Sequence, residues 1–164
     1  MSSMKKDHLP LYGVGPIYFL IILLLTIIFS FLSFKEVIPC YQLSFLRLIF
    51  VIIGVLLIII GLYIWVHAVF KSKIDDNILD NRLVTSGVYS YTRNPIYTAI
   101  LFAFSGVLFI MNNLYLLILP FVYWLFLTVL MKNTEEKWLL EKYGEEYRIY
   151  CRSVNRCIPW FRKK

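Results

Sequence analysis

Apolar positions along the chain do not alternate with polar ones; they gather into four runs, residues 17 to 34, 48 to 70, 96 to 111 and 114 to 131, none of which holds a Lys, Arg, Asp or Glu. At a helical rise of about 1.5 Å per residue the runs reach roughly 24 to 35 Å, against a bilayer hydrocarbon core of about 30 Å. They predict an all-α integral membrane fold with about four transmembrane helices. The run at 96 to 111 is the shortest and is expected to begin among the headgroups. Asn112 and Asn113 break the last two runs into a tight hairpin. Gly54 and Gly61 lie seven apart, on nearly one face of the second helix, and predict close approach of another helix there.

Polar residues concentrate in two places. Arg82 to Tyr97, RLVTSGVYSYTRNPIY, combines a turn glycine (Gly87), tyrosines at alternate positions (Tyr89, Tyr91) and an Arg-Asn-Pro triplet that leads into the third run. Asn94 is placed to cap that helix and Pro95 to occupy its first turn, where a missing N–H costs nothing. A polar shift over residues 70 to 81 precedes this loop. The second concentration runs from Asn133 to Arg156. Thr134 is placed to cap a helix with Glu135 and Glu136 in its first turn, where the helix dipole favours acidic residues. Glu136, Leu139, Leu140, Tyr143, Tyr147 and Tyr150 recur at helical spacing, which predicts one C-terminal amphipathic helix weakened in its middle by Gly144.

Composition agrees with a membrane class: of 164 residues 60% are apolar and 16% charged, more apolar surface than a soluble domain of this size can hide. Residues 1–164 form a single membrane domain by length. Lys5 and Lys6 precede the first run, but that run is too long for a signal peptide and lacks a small-x-small cleavage site, so a retained helix is expected. Fifteen of the seventeen Lys and Arg residues fall on the side shared by the N-terminus, the 71 to 95 loop and the C-terminal tail. The positive-inside rule then predicts that both termini and the loop are cytoplasmic. The net charge of +7 follows from this bias and from attraction to anionic membrane lipids, so no nucleic-acid partner is called for. His67 and His8 come with no cysteine or carboxylate cluster at ligand spacing, and no metal site is expected. Cys40, Cys151 and Cys157 imply no disulfide framework.

Taken in order, Leu83-Val84-Thr85-x-Gly87-x-Tyr89, then Arg93-Asn94-Pro95-x-Tyr97, then a helical hairpin, then Glu135-Glu136-x-x-Leu139 and Tyr-Gly-Glu-Glu-Tyr at 143 to 147, the pattern resembles the isoprenylcysteine carboxyl methyltransferase family. Related phospholipid N-methyltransferases share its Arg-x-Pro and Glu-Glu parts. The likeness covers residues 80–160, about half the chain. It implies a methyltransferase-like cofactor-binding half that takes S-adenosylmethionine and methylates a lipid-like or isoprenylated acceptor, carboxyl O-methylation being favoured. The membrane would be the inner membrane in a bacterium and the endoplasmic reticulum in a eukaryote. Carried over onto this chain, Arg93, Asn94, Pro95, Tyr97, Glu135 and Glu136 fall on the cofactor-linked motif, and Leu83, Val84, Gly87 and Tyr89 on the loop that helps surround the cofactor. Arg156, in Val154-x-Arg156-x-x-Pro159, falls on a tail element whose arginine stands near substrate; Arg93, Glu136 and Arg156 are thus the catalytic candidates. Asn81 and Asn94 stand where the family often has histidine, and Ala99 where it often has glycine.

The residue types suit that chemistry. A carboxylate can receive ribose hydroxyls or an ammonium, an arginine can pair with a carboxylate, and a tyrosine can face a sulfonium. A carboxylate acceptor needs no base, whereas an amine must lose a proton, for which Glu136 is the candidate. Two alternatives use the same residues differently: an NADPH-dependent membrane reductase of sterol-reductase type, and a non-enzymatic four-helix membrane protein.

Overall fold

The computed structural model describes residues 13–72, 77 and 82–160. Asn81, most of the polar stretch before it, Lys5, Lys6 and His8 lie outside the described residues. The fold is helical: α1 is Gly15–Phe34, α2 is Arg47–Val66, α3 is Pro95–Met111, α4 is Leu119–Asn133, α5 is Glu135–Tyr143 and α6 is Glu145–Ser153. Three stretches are long and apolar enough to cross a membrane, Gly15–Phe34, Ser44–Lys71 and Leu114–Tyr143, and α3 is a shorter apolar helix of 17 residues. About four transmembrane helices therefore make up the molecule. Their outward faces carry large bare side chains such as Ile27, Phe31, Leu56, Ile59 and Val129, as expected where lipid is the solvent.

Helix α2 packs against α3 through its glycines. A Cβ on Gly54 would fall 2.5 Å from the carbonyl oxygen of Gly106, and a Cβ on Gly106 equally close to that of Gly54. A Cβ on Gly61 would sit 2.9 Å from the Ala99 carbonyl oxygen, which places the family-departing Ala99 inside this seam. Lipid provides no hydrophobic drive between helices, so the stabilisation comes from dispersion over backbone in direct contact.

The end of the bundle formed by the α1–α2 loop is closed by the two asparagines of the predicted hairpin. Asn112 takes a left-handed conformation, φ 51°, and ends α3. Asn113 accepts from the Tyr115 N–H at 3.2 Å, and its amide donates to Ser33 Oγ at 2.8 Å and to the Pro39 carbonyl at 3.3 Å. At the opposite end, α2 leaves its α-helical ladder in a π-helical turn, His67–Lys71.

Three local expectations are corrected. Asn94 stands at the N-cap position of α3, but its side chain does not cap; it donates to the carbonyl of Arg156 at 3.0 Å. Thr134 likewise makes no cap, because its hydroxyl donates back to Leu130 O at 2.6 Å in the last turn of α4. The single amphipathic helix is two. Gly144, at φ 55° and ψ −122°, adopts a conformation that ordinary residues avoid and divides α5 from α6. The break lets Tyr147, Tyr150 and Val154 form a small core with Leu83, Leu139, Tyr143 and Cys151, so α6 folds onto the Arg82–Tyr97 loop.

Replacing either Gly54 or Gly106 by Ala is expected to destabilise the protein by roughly 1–3 kcal/mol through overpacking, whereas Leu56→Ala on the outward face stays within about 0.5 kcal/mol; thermal unfolding in detergent measures both. Cys157 is 2% exposed and burial pushes its thiol up to about 12, while Cys40 is exposed. Alkylation at mildly alkaline pH, read by peptide mass spectrometry, is expected to modify Cys40 in the folded protein and Cys157 only after denaturation.

Candidate active site

The site forms where the Arg82–Tyr97 loop, α5 and the C-terminal tail meet. Segments 91 to 94 and 155 to 160 run side by side. Thr92 and Asn155 form a parallel bridge, the Arg93 N–H donates to Asn155 O at 2.9 Å, the Asn94 N–H to Arg156 O at 3.2 Å and the Trp160 N–H to Tyr91 O at 3.1 Å. The Arg156 carbonyl also accepts from Thr92 Oγ1 at 3.1 Å, and Thr98 Oγ1 reaches Cys157 O at 2.5 Å. Thr92, Asn94 and Thr98 are buried polar side chains whose partner is the tail backbone. This pairing seats Arg156 next to Arg93.

Both arginines converge on Glu136. Arg156 holds it with two parallel bonds, Nε to Oε1 at 2.7 Å and Nη2 to Oε2 at 2.8 Å, and Arg93 Nη2 lies 3.1 Å from Oε1. The side chains of Arg93, Glu136 and Arg156 are 9%, 12% and 26% exposed, so solvent screens the trio weakly. The Glu136 hydrogen bond raises the already high pKa of Arg156. Arg93 Nη1 donates to Cys151 Sγ.

Two polar groups here lack a hydrogen bond. Arg93 Nε is buried without one, and the Tyr147 hydroxyl, buried beside Cys151, makes no well-formed bond either. Burial, and then the Glu136 carboxylate, push the Tyr147 phenol far up, so it is a neutral donor at physiological pH. Tyr147, Glu136 and Cys151 line a cavity of about 320 Å³ whose remaining walls are Leu140 and four cationic side chains, Lys132, Lys137, Arg148 and Arg152.

The other candidates sort into two places. Leu83 packs on the Tyr147–Tyr150–Val154 core, and Val84, the next residue, is half-buried. Gly87, φ 61°, opens a 3-10 turn, Gly87–Ser90, whose Tyr89 is buried and accepts from the Tyr150 hydroxyl at 2.6 Å through its carbonyl. Pro95 starts α3. Tyr97 and Glu135 stand together but apart from the arginine trio: the Tyr97 hydroxyl donates to Glu135 Oε1, which also accepts from the Val14 N–H at 2.8 Å. Residues that sequence reasoning did not single out for the site are Cys151 and Tyr147. Tyr147 was visible as one more aromatic on the Glu136 face, but nothing in the periodicity distinguished it from its neighbours; Cys151 follows it by one helical turn.

The sequence profile of a family described as phospholipid methyltransferase matches residues 49–146. The protein-S-isoprenylcysteine O-methyltransferase of Saccharomyces cerevisiae is 34% identical over 120 residues, covering 66% of this chain and 48% of that protein. The protein of the same name from Dictyostelium discoideum is 32% identical over 94 residues, covering 57% of this chain and 38% of the relative. The matched stretch thus spans less than half the length of either relative. No solved structure matches the chain. The profile takes in α2, the Arg82–Tyr97 loop, α3, α4, α5 and the start of α6, and so it includes Arg93 and Glu136. The chain belongs to the phospholipid methyltransferase family, and its resemblance within that family is to the isoprenylcysteine O-methyltransferases.

Proposed function

We propose that the protein is a membrane-embedded methyltransferase that takes S-adenosylmethionine at the Arg93–Glu136–Arg156 site and methylates a lipid-like or isoprenylated acceptor, with residues 80–160 as its cofactor half. The observation that carries this reading is the convergence of two arginines from separate segments on one buried carboxylate, beside two unbonded buried donors and a cavity. The residues lining the cavity fit the cofactor: the Tyr147 hydroxyl is a donor suited to a carboxylate, Glu136 is an acceptor for ribose hydroxyls or an ammonium, and the Tyr147 ring is suited to face a cation. When bound, the cofactor supplies an electrophilic methyl group on a sulfonium.

The protein's own part is positioning and exclusion of water. On this reading Leu83, Val84, Gly87 and Tyr89 wall the cofactor on the loop side; what supports it is that Leu83 packs against α6 and the Tyr150 hydroxyl donates to the Tyr89 carbonyl. Arg156, anchored through its carbonyl, is placed to hold an acceptor's anionic group. Both oxygens of Glu136 already accept from arginine, and it is the only carboxylate among the described residues lining the cavity. A site with no uncommitted base favours an acceptor that arrives ionised, which supports carboxyl O-methylation over amine methylation. The positive-inside distribution of Lys and Arg supports a cytoplasmic site with both termini on that side.

Purified protein in nanodiscs is expected to bind S-adenosylmethionine saturably, without competition from NADPH. Because removing one partner of a buried ion pair costs about 3–5 kcal/mol, Arg93→Ala and Glu136→Ala should abolish binding, and Arg93→Lys, which keeps charge but loses the fork, should weaken it about tenfold or more. Competition by NADPH, or binding unchanged in all three variants, overturns the assignment. The orientation is tested separately: a membrane-impermeant maleimide applied from outside intact cells should label Cys40.

A further inference from the structure

Glu135 and Glu136 are adjacent at the start of α5, so their side chains leave the helix about 100° apart. Glu136 meets the arginines. Glu135 turns toward the beginning of the first span. Its Oε1 accepts from the Val14 N–H at 2.8 Å and from the Tyr97 hydroxyl, and a Cβ added to Gly13, whose φ is 47°, would fall 1.9 Å from that same oxygen. The carboxylate occupies the space a side chain at position 13 would need. Val14 is the N-cap of α1 and has no capping side chain of its own. The first N–H groups of a helix have no intrahelical partner, and an anion near them is further favoured by the helix dipole. Glu135 therefore caps α1 from 121 residues away along the chain. Tyr97 completes the joint, its ring meeting Tyr18 of α1 edge to face at 5.7 Å.

The start of α5 is thus fastened to the start of α3 on two sides, by Tyr97–Glu135 and by Arg93–Glu136. Neither contact can rotate α5 without straining the other. We propose that Glu135 is a positioning residue: it caps α1 at long range and, through that fixed bond, sets the rotation of α5 that aims Glu136 at Arg93 and Arg156. The consequence for ligand binding rests on the methyltransferase reading above; the cap itself does not. The role needs an acceptor oxygen rather than a negative charge. Glu135→Gln keeps that oxygen, whereas Glu136→Gln would turn an amide NH₂ toward a guanidinium.

The test combines hydrogen exchange over the first turn of α1 with S-adenosylmethionine affinity, both in nanodiscs. Glu135→Gln is expected to keep wild-type protection at the start of α1, while Glu135→Ala speeds exchange there and weakens binding roughly fivefold, the scale of a lost N-cap. Tyr97→Phe should weaken binding in the same direction, and the double variant Glu135→Ala/Tyr97→Phe should be no weaker than Glu135→Ala alone, because the two share one joint. The proposal is overturned by unchanged protection in Glu135→Ala, or by Glu135→Gln losing binding as fully as Glu136→Gln while α1 stays protected. Should the wild type bind no S-adenosylmethionine yet Glu135→Ala lose protection, the cap stands and the cofactor assignment falls.

Discussion

One carboxylate shared by two guanidinium groups holds the Arg82–Tyr97 loop, α5 and the tail together. Glu136 draws on Arg93, two residues before a membrane helix begins, and on Arg156, beyond the last helix. A nearly dry ion trio contributes little to stability for its own sake, since the cost of taking charges out of water offsets much of their attraction, and a set of apolar residues would serve as well. Its retention is better explained by specificity. One carboxylate meets both guanidinium groups only when the loop, α5 and the tail take one arrangement relative to one another, and any other leaves a buried arginine without its partner.

The rest of the structure supplies the rigidity that this arrangement needs. The glycine seam fixes α2 against α3 at backbone contact, which settles where Arg93 emerges. The asparagine pair ties the far end of α3 to the α1–α2 loop, so the helix is held at both ends. Buried threonines and Asn94 spend their hydrogen bonds on tail backbone rather than on helix capping, which satisfies groups that a low-dielectric surrounding would otherwise penalise.

How much of this was legible in the sequence follows from the range of each signal. The membrane helices were, because runs without charge have one common solution in a bilayer, and the α2 seam was, because two glycines seven apart share a face. The hairpin at Asn112 and Asn113 was local and so visible. Caps were misplaced at Asn94 and Thr134 because local pattern cannot reveal that a distant carbonyl or the preceding helix has already claimed the side chain. Gly144 announced a weak point, but whether a glycine bends or ends a helix depends on what the next segment can bury, here the Leu83 to Val154 cluster. That Glu135 and Glu136 part company was hidden for the same reason: their neighbours in space are Val14, Arg93 and Arg156.

The side-by-side pairing of 91 to 94 with 155 to 160 has a bearing on how the protein comes into being. It joins residues 64 apart in the chain, across two membrane helices that must already be inserted. Synthesis proceeds from the N-terminus, so the helices reach the bilayer while Asn155 and Arg156 are still within the ribosome. Through that interval Arg93 and Asn94 lack the tail carbonyls to which their N–H groups donate. The end of the molecule that carries Arg93, Glu136 and Arg156 therefore acquires its shape after the membrane helices are in place, and a nascent chain is a membrane protein well before that end is complete.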